Sequence, residues 1–141
     1  MIAYLDSSAI VKLYNAEDGS EIVRTLLHEA DFVATCMAAY PEVRSALARG
    51  FREGLYDESS HRQKVSVFLR DWSRFQKVAL APDVIFLSGD LAERCALRGF
   101  DSIHLASAVS LREKTGEALR FACWDERLAE AARRLGFTVI P

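Results

Sequence analysis

The sequence predicts an α/β fold, a three-layer sandwich with a central parallel sheet of four or five strands. Two observations lead there. Short apolar runs of strand length alternate with helical segments from one end of the chain to the other. Such alternation builds a parallel sheet covered on both faces. Two strand-to-helix junctions carry an aspartate, Asp6 and Asp125, at the carboxyl edge where open α/β sheets bind ligands.

Ile2–Leu5 reads as a buried strand, with Asp6 at its end and a helix over Ser7–Asn15. Asp18-Gly19-Ser20 is expected to cap a second helix that runs to about Glu29. Phe32-Val33-Ala34 is the second strand. A helix follows from about Met37 to Arg52 and stops at Gly54. Pro41 lies inside it, so its first turn falls near Pro41 or it bends there. Ser59–Phe75 is a polar-faced helix. Val78-Ala79-Leu80 is the third strand, and Pro82 separates it from a helix over Asp83–Leu97. Gly99 marks a break before the helix Asp101–Lys114. Phe121-Ala122-Cys123 is the fourth strand, Glu126–Leu135 the next helix, Gly136 its stop signal, and Phe137–Ile140 the fifth strand. No repeat, low-complexity tract or linker divides the chain, so residues 1–141 are expected to form a single domain.

With 141 residues, half of them hydrophobic, the chain is long enough to bury a real core. Its formal net charge of −2 excludes a uniformly basic nucleic-acid binder but not a local basic patch. Cys36, Cys95 and Cys123 are odd in number, far apart and without a CxxC pair. That argues against a disulfide framework and a structural zinc site, and for a reducing compartment. No signal peptide and no membrane span are expected, which places the protein in the cytoplasm.

Four acids carry the chemistry. Asp6 and Asp125 end strands of one parallel sheet. Asp101 opens a helix in Asp101-Ser102-Ile103-His104, and Glu42 heads another in Pro41-Glu42-Val43-Arg44. Each has a plainer role open to it: Asp6, Asp101 and Asp125 are good helix caps, and Glu42 could pair on the surface. Gathered in one crevice, the four would repel one another unless cations were bound. Hard divalent ions with oxygen ligands, Mg²⁺ or Mn²⁺, suit them. Such an ion polarises a phosphodiester and lowers the pKa of a bound water. An aspartyl-phosphate phosphatase is a second reading, but that chemistry wants an aspartate at position 8, where Ser8 stands, and no GxxxxGK loop is present.

Across essentially its whole length the chain resembles the PIN domain, and most of all the compact VapC-type toxin ribonucleases. The likeness rests on Tyr4-Leu5-Asp6-Ser7-Ser8-Ala9-Ile10-Val11-Lys12-Leu13-Tyr14, on Pro41-Glu42-Val43-Arg44-Ser45-Ala46-Leu47, on Asp101-Ser102-Ile103-His104-Leu105-Ala106-Ser107-Ala108, and on Asp125-Glu126-Arg127-Leu128 ahead of Gly136-Phe137-Thr138-Val139-Ile140. It implies a PIN-like sandwich and a metal-dependent endoribonuclease acting on RNA. It assigns Asp6, Glu42, Asp101 and Asp125 to both catalysis and metal binding, with Mg²⁺ or Mn²⁺ as cofactor. Ser7 matches the hydroxyl residue after the family's first aspartate. Cys123 departs from the hydroxyl residue common two places before the last one, so a supporting hydrogen bond is expected to be missing. The resemblance also implies a cognate antitoxin and a homodimer. A non-catalytic PIN-like binding module is the alternative.

Other residues have plainer readings beside functional ones. His104, one helical turn after Asp101, is expected to pack neutral beneath its helix, with a place in the site as the other possibility. Trp124 is expected at the rim of the sheet rather than stacked on a base. Arg44, Arg49 and Arg52, with Arg62, Lys64, Arg70, Arg74 and Lys77, form either a phosphate-contacting face or an ordinary solvated one. Phe68, Leu69, Trp72 and Phe75 read as core or dimer packing, and so do Val84, Ile85, Phe86 and Leu87.

Overall fold

The computed structural model describes residues 1–141. Five strands, β1 (Ile2–Leu5), β2 (Phe32–Cys36), β3 (Gln76–Val78), β4 (Leu119–Ala122) and β5 (Thr138–Ile140), form one sheet in the order β3-β2-β1-β4-β5. All four pairings are parallel. The strand that ends at Asp6 is therefore central, with the strand that leads to Asp125 beside it.

Seven helices cover the sheet: α1 (Ser7–Val11), α2 (Ser20–Glu29), α3 (Ala39–Arg52), α4 (Glu58–Trp72), α5 (Pro82–Cys95), α6 (Gly99–Thr115) and α7 (Glu126–Arg134). Strand side chains alternate between faces, and β1 divides accordingly. Ile2 and Tyr4 enter one core with Val84 and Leu91 of α5, Leu105 and Ala108 of α6, and Leu128 and Ala132 of α7. Ala3 and Leu5 enter the other with Ile10 of α1, Val23 of α2, Val43 and Leu47 of α3, and Phe68 of α4. This is the three-layer sandwich that the alternation predicts.

Several boundaries differ from the sequence reading, each for a local reason. The first helix lasts five residues, not nine, before turns take over. The cap of α2 is Gly19 at φ 91°, and no side chain caps it; Ser20 Oγ instead donates to the Asn15 carbonyl and accepts from the Glu17 N–H. Pro41 lies in the first turn of α3, where its missing N–H costs nothing. The third strand sits two residues earlier than its apolar run suggested, because Gln76 and Lys77 pair with β2 at the sheet edge, where polar residues are tolerated. Helix α6 begins at Gly99, two residues ahead of Asp101. Gly136 follows α7 at φ 80°, as a helix stop requires.

Candidate active site

Asp6 and Asp125 hold parallel positions. Each caps a helix with its own carboxylate: Asp6 Oδ1 accepts from the Ala9 N–H at 2.9 Å, and Asp125 Oδ1 from the Leu128 N–H at 2.9 Å. The cap and the site are therefore the same groups, and each aspartate keeps an oxygen free of its cap. Adjacency of β1 and β4 puts both caps on one edge, with Leu5 registered against Ala122. Ser8 ties the two turns together: its hydroxyl donates to Asp6 Oδ1 at 2.7 Å and accepts from the Trp124 N–H at 3.1 Å.

Asp101 and Glu42 come from the helical layers. Asp101 is not a cap; it lies in the first turn of α6 behind Arg98, and its side chain is 16% exposed. Arg98 Nε donates to Asp101 Oδ2 at 3.0 Å, and its Nη2 to Asp125 Oδ2 at 3.4 Å. Glu42, in the first turn of α3, is not half of a surface pair. Its Oε1 accepts from Ser7 Oγ at 2.7 Å and lies 2.9 Å from His104 Nε2.

His104 is buried, as its place on α6 suggested, but it also contacts the candidate site. Its Nε2 faces Glu42 and Ser7, while its Nδ1 faces the Tyr4 hydroxyl at 3.2 Å and Cys36 Sγ at 3.6 Å. Burial works against its charge, but the bonds to Cys36 and Glu42 prevail and push the imidazole up to about 10. The neutral histidine of the sequence reading is replaced by one that favours the proton.

Their surroundings push Asp6 and Glu42 in opposite directions. Burial lifts the Asp6 carboxyl above its usual range and Asp101 adds to the lift, against the pull of His104, Ser8 and Ala9. For Glu42, burial is outweighed by bonds from His104 and Ser7 and by the field of Arg98, so its pKa falls. No three His, Cys, Asp or Glu side chains are drawn together into a ready metal-ligand group. Arg98 bridges Asp101 and Asp125, Asp6 lies on the adjoining strand end, and Glu42 is held apart from them by Ser7 and His104. The donor set fits a hard divalent cation. It is all oxygen, Cys36 and Cys123 are turned into the core, and a guanidinium already serves as counter-charge to two of the four.

A cleft of about 760 Å³ opens beside this edge, lined by Arg98, Asp101, Asp125, Glu126, Arg127 and Glu130. Cys123, where the family resemblance puts a hydroxyl, gives only a weak contact from Sγ to the Asp125 carbonyl at 3.8 Å. Trp124 packs at the rim, with Lys12 Nζ 4.6 Å from its ring centroid. Much of the basic stretch is engaged locally: Arg62 with Glu58, Lys64 with the Tyr14 carbonyl, Lys77 with the Trp72 carbonyl. Sequence reasoning missed Arg98, Ser8, Tyr4 and Cys36. Only Arg98 left a readable signal, its position three residues before Asp101 on one helix face.

Known proteins are similar to this chain. A PIN domain family model covers residues 3–134. Ribonuclease VapC45 of Mycobacterium tuberculosis (strain CDC 1551 / Oshkosh) is 38% identical over 144 residues, covering 99% of this chain and 95% of that protein. Ribonuclease VapC46 of Mycobacterium tuberculosis (strain ATCC 25618 / H37Rv) is 35% identical over 138 residues, covering 97% and 95%. Among solved structures, VapBC2 from Rickettsia felis, bound to a DNA fragment from its promoter, superposes with a TM-score of 0.66 at 16% identity over 99% of this chain and 98% of that one. Collinear with such relatives from end to end, and carrying its acids on the strand ends and helix starts described above, the chain belongs to the PIN domain family.

Proposed function

We propose that residues 1–141 act as one PIN-like domain, an endoribonuclease that hydrolyses RNA phosphodiester bonds as the toxin of a toxin–antitoxin pair. The observation that carries the reading is the single carboxyl edge bearing Asp6, Asp101 and Asp125, with Glu42 anchored beside it. Relatives named as VapC ribonucleases support the activity. Structural likeness to VapBC toxin–antitoxin complexes supports an antitoxin partner. Intact acids at all four positions favour an enzyme over a non-catalytic module.

Asp6, Asp101 and Asp125 would hold Mg²⁺ or Mn²⁺, with Glu42 completing the set. Such an ion supplies charge for the scissile phosphate and lowers the pKa of an attacking water. The chain's own part is positioning. The Asp6 and Asp125 caps fix two carboxylates on adjacent strand ends. Ser7 and His104 hold Glu42 in one rotamer, so it is oriented before substrate arrives. Water adds to phosphorus and the 3′-oxygen leaves, giving 5′-phosphate and 3′-hydroxyl ends. No pair of histidines stands as acid and base for a route through a 2′,3′-cyclic phosphate. A cytoplasmic setting fits three free cysteines. Exposed Ile85 and Phe86 on α5, the latter 76% exposed, suit a homodimer contact.

The test is cleavage of tRNA, rRNA and mRNA by the purified protein, with end mapping. EDTA should abolish cleavage, and Mg²⁺ or Mn²⁺ should restore it. Asp6→Asn keeps a capping residue, so its circular dichroism should match the parent while cleavage falls by orders of magnitude. Full cleavage by that variant, or in EDTA, refutes the mechanism.

A further inference from the structure

Arg98 is oddly placed for a surface arginine. It is the cap residue of α6, where a short polar side chain is favoured and a cation meets the positive end of the helix dipole. Its backbone is extended, at φ −66° and ψ 155°, and its side chain caps nothing. It reaches instead across the cleft mouth to two carboxylates on different elements, Asp101 on α6 and Asp125 ahead of α7. The other charged groups of the cleft are already partnered. Arg127 donates to the Ala96 carbonyl at 3.3 Å, Glu126 pairs with Arg133 and Glu130 with Arg134. Asp101 and Asp125 have Arg98 alone as a cationic partner. Its side chain is 77% exposed, so nothing but these two acids retains it.

We infer that Arg98 is a tethered counter-cation that a divalent ion displaces from between Asp101 and Asp125, after which its guanidinium binds an RNA phosphate at the cleft mouth. This rests on the metal-dependent reading above. Two cations cannot share one pair of carboxylates without strong repulsion, so entry of one favours departure of the other. The tether is short, so the released group stays at the mouth, where a planar fork of donors matches a phosphate. Metal entry would thereby convert an internal ion pair into a substrate contact, and RNA affinity would become dependent on the ion.

The test measures Mn²⁺ binding by electron paramagnetic resonance for the wild type, Arg98→Ala and Arg98→Lys. Arg98 is exposed, so these variants should fold; thermal midpoints in EDTA check this. Loss of the competitor should tighten Mn²⁺ binding by about three- to tenfold in Arg98→Ala, the range expected for two partly exposed ion pairs. Arg98→Lys should fall between. Fluorescence anisotropy with a mixed-sequence single-stranded RNA, in Ca²⁺ and in EDTA, tests the second half. Arg98→Ala should lose affinity several-fold in Ca²⁺ and nothing in EDTA. If the wild type binds no Mn²⁺, the metal-dependent reading itself fails. If it binds and Arg98→Ala binds equally or more weakly, only the role of Arg98 is overturned. An equal RNA loss in Ca²⁺ and EDTA marks Arg98 as an ordinary surface cation and overturns the exchange.

Discussion

Tyr4→Phe isolates one atom of the network beneath Glu42. The Tyr4 ring is fully buried and stacks on Phe121 at 5.2 Å between centroids, an arrangement phenylalanine preserves. Only the hydroxyl is lost, and with it the 3.2 Å bond to His104 Nδ1. That leaves the imidazole nitrogen with Cys36 Sγ at 3.6 Å, a weak partner. Losing a hydrogen bond costs about 1 kcal/mol, and stranding a buried polar atom costs about 1–3 kcal/mol. Removing the hydroxyl also removes its own burial penalty, so a net loss of about 1–2 kcal/mol is expected. Unfolding entropy near 2.1 cal/mol/K per residue makes that a fall in Tm of about 3–7 °C for a chain of this size. Urea unfolding at constant m-value gives the free energy directly. A cycle with His104→Leu should return a coupling of about 0.5–1.5 kcal/mol between the two sites. Cleavage should change little, because Ser7 still holds Glu42. A Tyr4→Phe protein as stable as the parent, with zero coupling to His104, would refute the claim that this bond stabilises the buried network.

Three further outcomes follow from the same geometry. Asp125→Asn should keep the cap on α7 and lose cleavage, whereas Asp125→Ala should lose cleavage and also about 1 kcal/mol of stability; thermal melts beside RNA gels separate the two roles. Gly19→Ala places a methyl 2.5 Å from the Trp124 ring at a backbone φ of +91°, so it should cost about 1–3 kcal/mol and shift Trp124 fluorescence, read in a Trp72→Phe background. Ser7→Ala frees Glu42 from one of its two anchors and should lower cleavage by about 10–100-fold with a Tm change of only a few degrees.

The layered fold was readable because its signals are local. Apolar runs of four residues, a proline in a first turn and a glycine after a last one report on the chain within a few residues of themselves. Asp6 and Asp125 were readable for the same reason, since a strand end followed by a helix start is a local pattern. Their double use as caps and site groups means that neither reading excluded the other. Asp101 misled slightly. It looks like a cap, but Arg98 and Gly99 can extend the helix backwards by two residues, and nothing in the Asp101 neighbourhood forbids that. The Glu42 anchor was not readable, because Ser7, His104, Tyr4 and Cys36 come from four elements spread over about a hundred positions, and only the packing of α6 against β1 and β2 brings them together. The third strand was placed late because hydropathy follows burial, whereas an edge strand is defined by backbone pairing that leaves no mark on its side chains.

The placement of the acids divides the site into two halves with unequal backbone support. The Asp6 N–H donates to the Ala122 carbonyl at 3.1 Å, so the ladder between β1 and β4 continues into the first aspartate itself. Its amide should exchange with deuterated solvent only through openings that disrupt the middle of the sheet, the slowest class of event in a folded domain. Asp101 and Glu42 start helices that rest on opposite faces of that sheet, outside its hydrogen-bond ladder. Substitutions that loosen α3 or α6 against the sheet should blunt the enzyme well before they unfold it.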